Sequence, residues 1–419
     1  MSDVRAALER LLGDIGTARA RPDVLGGPEL PLAAPATAEE LCGVLRLAAH
    51  EGWHVVPCGL GSKLGWSAPA QHADLLLTTR RITGIVNYEP GDGTLTARAG
   101  IPMHVLRSAA AAGGHWVTPD VPRPATRTLG GVLAAAESGP DRLLFGPVRH
   151  HVLGMRVALA DGTVAQSGGQ LVKNVTGYDL HRLYCGSHGT LCVILEASLR
   201  LFPAPEHELW VERTLDASAD PFEHAGGASA ARARIVSLTL ARVDPPQPDA
   251  RWQLAARLFG RSEPVEAERA RLLERWPDAV VTSGAEARAR ADAWRDRACG
   301  PEDGAWLAIT CLPSSAPAVL ARVDGALGGS ARLLAQPGIG MLEVPLGASA
   351  PRVAELLPRL RAELAPLNAR VALRDATAAE LAGLDPFGEP MPGAELMHRL
   401  RAALDPRGTL AAGRFHLAT

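Results

Sequence analysis

The sequence predicts an α+β protein with two domains, and three observations support this prediction. The chain has 419 residues, which is long for a single hydrophobic core. Pro203 and Pro205 end a run of short, glycine-punctuated apolar segments and mark a domain boundary. After about residue 206, strand-like segments alternate with helices rich in Arg and Glu, which favours an antiparallel sheet with helices on one face.

The first 205 residues begin with helical patterns and continue with short strands. A helix is predicted from Val4 to Leu12, and Thr37-Ala38-Glu39-Glu40 has the spacing of a capping box that opens a second helix ending near His50. A third predicted helix, at Pro102 to Ala112, ends at two glycines. The predicted strands are His54 to Val56, Leu75 to Thr78, Ile85 to Tyr88 and Thr94 to Ala97.

The second half of the chain has its own alternation of strands and helices. The predicted strands are Leu209 to Leu215, Val236 to Val243, Trp252 to Phe259, Trp306 to Cys311 and Arg370 to Leu373. The predicted helices are Pro264 to Arg275, Arg288 to Arg297, Ala316 to Leu327 and Arg352 to Leu364.

Composition and charge exclude several classes of protein. The chain is 47% hydrophobic and 21% charged, which is the balance of a folded domain and not of a disordered or fibrous chain. Its net charge of −2 provides no basic field for a polyanion, so we expect no nucleic acid partner. The longest apolar runs are interrupted before the ~20 residues that a membrane-spanning helix needs, so membrane contact is expected only through a partner.

The six cysteines are Cys42, Cys58, Cys185, Cys192, Cys299 and Cys311. They form neither a CxxC pair nor the closely spaced run of an iron–sulfur protein, and the N-terminus does not resemble a signal peptide. We therefore expect a reducing cytoplasm and no iron–sulfur cluster in this chain. The adjacent His150 and His151 would point to opposite faces of an extended segment, so no metal site is predicted.

Lysine is rare in this chain. Lys63 and Lys173 are the only lysines among 43 basic residues. A planar guanidinium cannot reproduce the compact ammonium group, so both positions are candidates for specific chemistry. Rare residues can also cluster by chance. If the clustering is not chance, the position of both lysines in the first half of the chain indicates where specific chemistry takes place but not which chemistry it is.

The first candidate ligand loop is Pro57-Cys58-Gly59-Leu60-Gly61-Ser62-Lys63-Leu64-Gly65. Its glycines are spaced neither as GxGxxG nor as GxxxxGK[ST]. The backbone N–H groups of successive glycine-permitted turns can form a nest for a pyrophosphate, with the Ser62 hydroxyl and Lys63 adding to it. A tight strand-to-strand turn would have the same sequence pattern.

Two further glycine-rich segments follow. Thr128-Leu129-Gly130-Gly131, with Gly139 after it, lets backbone approach an extended ligand, although close helix packing has the same requirement. The third segment runs from Gly168 through Lys173-Asn174 and Gly177-Tyr178-Asp179 to Gly189-Thr190-Leu191. Each buried polar group there would cost ~1–3 kcal/mol without a partner, so these residues either pair with one another, as Lys173 and Asp179 could, or bind a ligand.

In this order, the motifs resemble the FAD-binding domain of the vanillyl-alcohol oxidase and p-cresol methylhydroxylase (PCMH) superfamily, over most of residues 35–205. Tyr88-Glu89-Pro90 before Ala99-Gly100, and the step Thr118-Pro119-Asp120, belong to the same set. Within that superfamily, the segment around Lys173-Asn174, the Trp306–Pro313 stretch and the brief C-terminal tail are most similar to the FAD-binding accessory subunit of bacterial glycolate oxidase.

The resemblance implies a two-lobed PCMH-type FAD-binding domain at 1–205, a smaller antiparallel cap domain at 206–392 with helices on one face, and a segment at 393–419 that returns to the FAD domain. Because relatives with covalent flavin often present a His in the first loop, near the place where Ser62 stands here, the resemblance implies that the FAD is non-covalent. The implied FAD-binding residues are Pro57, Gly59, Leu60, Gly61, Ser62, Lys63, Pro119, Thr128, Gly130, Gly131, Gly139, Asn174, Gly177, Gly189, Val193 and Ile194.

The resemblance also implies oxidation of a small 2-hydroxy acid, such as glycolate to glyoxylate. The expected partners are a catalytic flavin subunit and an iron–sulfur subunit that receives the electrons, in a cytoplasmic complex peripheral to the inner face of the cell membrane. The candidate catalytic residues are Lys173, Tyr178, Asp179 and Arg182. Among them, Lys173 is suited to stabilise a negatively charged reduced flavin or a carboxylate.

Several departures from the family pattern keep two alternatives open. The ending Leu410-Ala411-Ala412-Gly413-Arg414 lacks the family's usual Asn, and the His-rich substrate motif of related catalytic subunits has no counterpart between 206 and 400. The alternatives are a non-catalytic assembly subunit of the same kind of complex and a stand-alone FAD-linked alcohol or hydroxy-acid oxidase. A Ser/His/Asp hydrolase is not expected, because the sequence contains no Gly-x-Ser-x-Gly elbow on a strand-to-helix turn.

Overall fold

The computed structural model describes residues 2–13, 17–18, 30–66, 68, 72–171, 177–216, 218–229, 235–242, 250–297, 304–327, 332–347, 352–381, 383–388, 393–411 and 413–414. Its α-helices are α1 (Ser2–Leu12), α2 (Ala38–Glu51), α3 (Met103–Ala112), α4 (Leu129–Ala134), α5 (Arg142–Phe145), α6 (Leu180–Tyr184), α7 (Pro221–Ser229), α8 (Ser262–Arg275), α9 (Gly284–Arg297), α10 (Ala316–Leu327), α11 (Val353–Leu364), α12 (Ala378–Leu381) and α13 (Ala394–Leu404). Short 3₁₀ turns lie at Leu64–Trp66, Pro90–Asp92, Pro124–Thr126, Val148–His150, Pro313–Ser315, Pro337–Ile339 and Ala365–Leu367.

The β-strands are β1 (Thr17–Ala18), β2 (Leu30–Ala33), β3 (Val55–Cys58), β4 (Leu75–Thr78), β5 (Ile85–Glu89), β6 (Thr94–Arg98), β7 (His115–Trp116), β8 (Val152–Ala158), β9 (Val164–Gly168), β10 (Val193–Arg200), β11 (Phe202–Pro203), β12 (His207–Asp216), β13 (Ile235–Arg242), β14 (Ala250–Gly260), β15 (Val280–Ser283), β16 (Trp306–Thr310), β17 (Leu334–Gln336), β18 (Met341–Pro345) and β19 (Arg370–Arg374).

The chain forms two compact units. The first contains residues 1–137, 147–203 and 377–419, and the second contains residues 138–146 and 204–376. Residues 138–146, which precede the boundary expected from the sequence, therefore lie in the second unit. Residues 377–392, which were expected in the cap, lie in the first unit.

The first sheet of the first unit has the strand order β1-β2-β4-β3, in which β2, β4 and β3 are parallel. Helix α2 connects β2 to β3. Thr37 caps this helix as predicted, since its hydroxyl accepts a hydrogen bond from the Glu40 N–H at 3.1 Å. The Glu40 carboxylate accepts from the Ala36 N–H at 2.7 Å. Helix α2 then buries Leu41 and Leu45 against this sheet, which fixes where β3 ends and the first glycine loop begins.

The second sheet of the first unit has the order β5-β6-β10-β8-β9, with all neighbours antiparallel. Its apolar face includes Leu95 of β6 and Val157 of β8. Leu129 and Leu133 of α4 are fully buried in the same hydrophobic cluster. This packing holds the start of α4, where the second glycine motif lies, against the sheet.

The second unit contains, within the described residues, an antiparallel sheet with the order β15-β12-β14-β13-β17-β18-β16-β19. Helix α9 packs Ala287 and Trp294 against one face of this sheet, where they contact Trp210 of β12. The alternate residues Leu209 and Val211 point to the opposite face and are also buried. The strands predicted for this half are present, whereas the short β15, β17 and β18 were not predicted.

A buried ionic network explains why residues 138–146 belong to the second unit. The Arg257 guanidinium lies 2.6 Å from a carboxylate oxygen of Asp141 and 2.6 Å from one of Glu208. The other Glu208 oxygen lies 2.9 Å from Arg288 of α9. Because Asp141, Glu208 and Arg257 are each buried, an incomplete network would leave a desolvated charge. Asp141 therefore anchors its segment to the strands of this unit.

In the first unit, a buried histidine attaches helix α6 to strand β9. The His181 N–H donates to the Ser167 hydroxyl at 3.1 Å, and His181 Nδ1 lies 3.2 Å from the same oxygen. Burial lowers the pKa of His181, and the nearby Arg182 acts in the same direction, while Asp179 raises it. The imidazole is therefore held neutral in the fold.

We expect this histidine to contribute to acid sensitivity. Its pKa is lower in the folded chain than in the unfolded chain, so the unfolded chain binds the proton first as the pH falls below about 6.5. The stabilisation is complete above that pH and is lost as the pH falls through the folded pKa. The measurement is the free energy of unfolding in urea between pH 7.5 and pH 5, compared with His181→Asn. An equal loss of stability in both proteins would contradict this role.

Candidate functional site

The first glycine loop begins where β3 ends and turns sharply at Gly61, whose φ of +82° lies in the left-handed region. The loop is held by a hydrogen bond from the Thr78 hydroxyl to the Gly59 carbonyl at 2.7 Å. Within the described part of the chain, the N–H groups of Leu60, Gly61 and Ser62 donate no hydrogen bond. Three successive amide donors of this kind can receive an anion, as a nest does.

The second glycine motif lies directly against the first loop. Thr128 caps α4, since its hydroxyl accepts from the Gly131 N–H at 3.2 Å. A Cβ added to Gly59 would lie 2.0 Å from the same Thr128 oxygen, so only glycine fits at position 59. On the other side of α4, the Gly130 N–H donates to the Ala99 carbonyl at 2.8 Å, and a Cβ on Gly130 would meet the Ala99 side chain at 2.8 Å.

The third loop, residues 186–191, contacts both of the others. The Gly186 N–H donates to the Leu133 carbonyl at 3.0 Å, and the His188 N–H donates to the Ala134 carbonyl at 2.8 Å, both on α4. Gly189 has a φ of +74°, and a Cβ there would lie 3.3 Å from Pro57 of the first loop. The three loops therefore form a ring in which each one contacts the other two.

This ring surrounds one open cavity of about 710 Å³, counting the part open to solvent. Most of the residues that the sequence predicted for FAD line it together. They are Pro57, Gly59, Leu60, Gly61, Ser62, Lys63, Thr128, Gly130, Gly131, Gly189, Val193 and Ile194.

Four of the predicted FAD-binding residues are not among the described lining residues. Pro119 is buried elsewhere in the first unit, and Gly177 is exposed. Gly139 belongs to the second unit. Asn174 lies outside the described residues.

The candidate catalytic residues do not line the cavity in the described part of the chain. Tyr178 is 89% exposed. Asp179 and Arg182 form an exposed ion pair at 3.2 Å, so Asp179 has a partner other than the one considered from the sequence. Lys173 lies outside the described residues. The catalytic role of these four residues stays a prediction.

A buried charge cluster lies beside the first loop. Lys63 Nζ lies 2.7 Å from a Glu137 oxygen, and Arg127 Nε lies 3.4 Å from the other. All three side chains are at most 10% exposed, so each charge depends on its partner. This cluster gives Lys63, one of the two lysines, a defined structural partner.

Several lining residues were not identified from the sequence. Arg414, in the C-terminal segment, is 3% exposed, and its guanidinium donates to the Leu64 carbonyl. Burial lowers the pKa of Arg414 to about 10, which still leaves it charged at neutral pH. Arg414 is the last residue of the ending Leu410-Ala411-Ala412-Gly413-Arg414, which the sequence analysis considered only because it lacks the family's Asn. Thr79, Ala134, Ala135 and His188 also line the cavity, and these residue types carry no pattern that distinguishes them from core residues.

Two thiols line the same cavity. Burial raises the pKa of Cys58 to about 11 and also raises the pKa of Cys192. Both thiols therefore remain protonated at neutral pH and are weak nucleophiles.

The described residues contain no cluster of three or more His, Cys, Asp or Glu side chains that could hold a metal ion. Nor do they contain a helix with the length and apolar character needed to cross a bilayer.

Comparison with curated proteins found relatives that align with only part of the chain. The glycolate oxidase subunit GlcE of Escherichia coli is 38% identical over 140 residues, which cover 33% of this chain and 40% of that protein. The D-2-hydroxyglutarate dehydrogenase of Xanthomonas citri is 33% identical over 176 residues, covering 42% of this chain and 37% of the relative. The glycolate oxidase subunit GlcD of Bacillus subtilis is 30% identical over 217 residues, covering 51% and 45%. The chain thus spans less than half the length of each relative.

Comparison with solved structures covers nearly the whole chain. The structure of p-cresol methylhydroxylase with substrate bound superposes with a TM-score of 0.74 at 16% identity, covering 99% of this chain and 96% of that chain. Alkyldihydroxyacetonephosphate synthase superposes with a TM-score of 0.67 at 14% identity, covering 92% and 77%. These similarities confirm the predicted PCMH-type α+β fold.

A family model described as "FAD binding domain" matches residues 30–168. This range contains the first two glycine motifs, and the third completes the same cavity. The family resemblance predicted from the sequence and its cofactor, FAD, are therefore confirmed. Residues 30–168 are thus similar to an FAD-binding domain, and the chain has a fold similar to that of p-cresol methylhydroxylase.

Proposed function

We propose that this protein is the FAD-binding subunit of an oxidoreductase that converts a small 2-hydroxy acid, such as glycolate, into the corresponding 2-oxo acid. FAD, when bound, supplies a two-electron acceptor for the hydride from the substrate C–H bond. The observation that carries the proposal is the ring of three glycine loops around one cavity in a chain with an FAD-binding domain. The protein's contribution is to position the cofactor and to set its electrostatic surroundings.

The cavity residues fit the cofactor group by group. The amides of Leu60, Gly61 and Ser62 would receive the pyrophosphate. Gly130 and Gly131 would lie along the flavin and its ribityl chain, and Gly189 with Val193 and Ile194 would hold the adenine side. A Cβ at Gly59 would clash with Thr128, so the backbone of the first loop packs against Thr128 with no space for a side chain between them.

We infer that the FAD is held without a covalent bond. The first loop carries Ser62 near the place where relatives with covalent flavin often present a His. The lining thiols Cys58 and Cys192 are kept protonated by burial, which makes them poor nucleophiles. Denaturation is therefore expected to release intact FAD.

The substrate class is argued from the relatives. Glycolate and D-2-hydroxyglutarate, which appear in the names of three of them, share a hydroxyl group on the carbon next to a carboxylate. Tyr178, Asp179 and Arg182 are the described candidates for polar contacts to such a substrate, with Lys173 beside them in sequence. Arg182 is suited to a carboxylate because its guanidinium can donate two parallel hydrogen bonds.

We further propose that the protein acts in a complex with a catalytic flavin subunit and an iron–sulfur subunit that takes the electrons onward. The similarity to both GlcE and GlcD supports this assignment. Cytoplasmic location, with membrane contact through the complex, follows from the same assignment. A non-catalytic assembly role is the second candidate, and it is favoured by one observation: the described candidate catalytic residues lie outside the cavity.

The test is to purify the chain alone and together with co-expressed partner subunits, and to record the visible absorption spectrum of each. We expect stoichiometric FAD that acid denaturation releases. Anaerobic glycolate should bleach the flavin bands, whereas acetate, which lacks the hydroxyl group, should not. A flavin-free chain that restores activity to a partner containing its own flavin would support the assembly role instead. Bleaching by other alcohols but not by hydroxy acids would contradict the substrate assignment.

Substitution of Gly59 tests the cavity wall. Gly59→Ala places a methyl group on the Thr128 oxygen, and overpacking of this kind costs ~1–3 kcal/mol. We therefore expect FAD affinity to fall by about tenfold or more, measured by quenching of flavin fluorescence.

The matched control is Gly91→Ala, because a Cβ at Gly91 meets nothing within 4 Å. The double variant Gly59→Ala with Thr128→Ala should recover part of the affinity, since it removes the oxygen that clashes. Unchanged FAD binding in the single variant would show that the first loop does not form the cofactor wall.

A further inference from the structure

The first unit has a second cavity, formed by other residues than the glycine loops. Its volume is about 1000 Å³, counting the part open to solvent, and its described lining residues include none that line the first cavity. Three parts of the chain form the wall: the last turns of α2, the turn between β8 and β9, and residues 403–409, where α13 ends. The proposed cofactor site uses none of these residues.

The side chain of Arg46 in α2 is held against the β8–β9 turn. Gly162 in this turn has a φ of +77°, and a Cβ there would lie 2.7 Å from Arg46 Cγ and 2.4 Å from the Cys42 carbonyl oxygen. Because Gly162 has no side chain, the turn contacts α2 directly and touches the Arg46 stem. The Arg46 guanidinium has neither a hydrogen bond nor an ion pair within the described part of the chain, and it lines the cavity.

Arg407 reaches the end of α2 from the C-terminal segment. Its guanidinium donates to the Ala49 carbonyl at 2.6 Å. Ala49 lies in the last turn of α2, where carbonyls have no partner within the helix. This bond uses one nitrogen of the guanidinium, which forms no ion pair with any carboxylate of the described residues. The donors that remain on Arg407 are therefore available to a ligand in the cavity.

The two aspartates of the wall direct their oxygens to backbone amides. Both oxygens of Asp405 accept hydrogen bonds, from the Thr409 N–H at 2.8 Å and the Leu410 N–H at 2.7 Å. One oxygen of Asp161 accepts from the Thr163 N–H at 2.8 Å. The cavity therefore presents two guanidinium groups that are not paired with the carboxylates lining it.

This arrangement matches a phosphate monoester. A phosphate monoester carries close to two negative charges at neutral pH, one for each guanidinium, and the planar fork of arginine fits two of its oxygens. A single carboxylate would match only one of the two cations. The rest of the wall includes Leu159, Leu404 and Pro406, which would contact the organic group that carries the phosphate.

We propose that this second cavity is a binding site for a phosphate monoester, held by Arg46 and Arg407. The site goes beyond the proposed oxidoreductase function and does not depend on it. A soluble metabolite and a lipid such as phosphatidic acid present the same phosphate group, so the experiment has one arm for each source.

The first arm measures the dissociation constant of phenyl phosphate by titration calorimetry. The purified chain is used with excess FAD, so that the probe does not compete for the first cavity. The variants are Arg46→Gln and Arg407→Gln. The matched control is Arg81→Gln, because Arg81 is an exposed arginine of the same unit that donates to a backbone carbonyl, that of Ala34, at 3.0 Å but does not line the cavity. Thermal unfolding without the probe reports whether each variant is folded.

The second arm measures co-sedimentation of the same proteins with phosphatidylcholine vesicles that contain phosphatidic acid. Vesicle binding that is lost in Arg46→Gln and Arg407→Gln would support the site and identify a lipid headgroup as its ligand. Binding of phenyl phosphate without vesicle binding would support the site and identify a soluble ester.

We expect each of the two cavity variants to weaken phenyl phosphate binding about 10-fold or more, the range for a lost charge-assisted hydrogen bond. Arg81→Gln should match the wild type, and FAD affinity should be the same in all four proteins. Benzoate, which carries a single carboxylate, should bind more weakly than phenyl phosphate.

Three results would overturn the assignment. A wild-type chain that binds neither phenyl phosphate nor the vesicles would exclude the site. Equal affinity in the wild type and both cavity variants would place the bound phosphate elsewhere on the chain. Benzoate binding as tight as that of phenyl phosphate would exclude recognition of a phosphate. If Arg407→Gln does not fold, Arg46→Gln decides, because the Arg46 guanidinium makes no hydrogen bond in the described structure that its loss could remove.

Discussion

The structure of the cofactor site depends on the mutual contact of three loops that come from distant parts of the chain. Gly59 lies against Thr128, the Gly186 N–H bonds to α4, and Gly189 lies against Pro57. Because each loop touches the other two, displacement of any one opens the cavity for all three. A Cβ at Gly59 would clash with Thr128, and the backbone at Gly189 has a positive φ that strains any other residue, so glycine is needed at both positions.

The two sheets of the first unit hold this ring in place. Strand β3 sets the first loop, and α4, packed on the second sheet, sets the other two through Thr128 and the carbonyls of Leu133 and Ala134. The C-terminal segment then adds to the edge of the first sheet through Val55 and brings a buried cation to the cavity. Residues from the beginning, middle and end of the chain thus contribute to a single electrostatic environment, in which backbone amides and buried charges face the same space.

Much of the site could be predicted from the sequence because glycine patterns report close backbone approach. The first loop and the Thr128 motif were predicted residue by residue and line one cavity. The polar segment near Tyr178 was expected to be buried at the ligand, but Tyr178 is exposed; a rare residue type indicates chemistry without indicating depth. Arg414 was not predicted as a lining residue, because arginine is the common cation of this chain and the expected return of residues 393–419 to the FAD domain did not specify a pairing with β3.

The most direct test of the central claim is a crystal structure of the chain with FAD bound. The account predicts that the pyrophosphate lies against the amides of residues 60–62 and that the adenine side lies beside Gly189. Both contacts depend on the ring of loops, so the account requires both of them in the same crystal structure. FAD bound outside this cavity, or a cavity that remains empty while FAD occupies another site on the chain, would contradict the account.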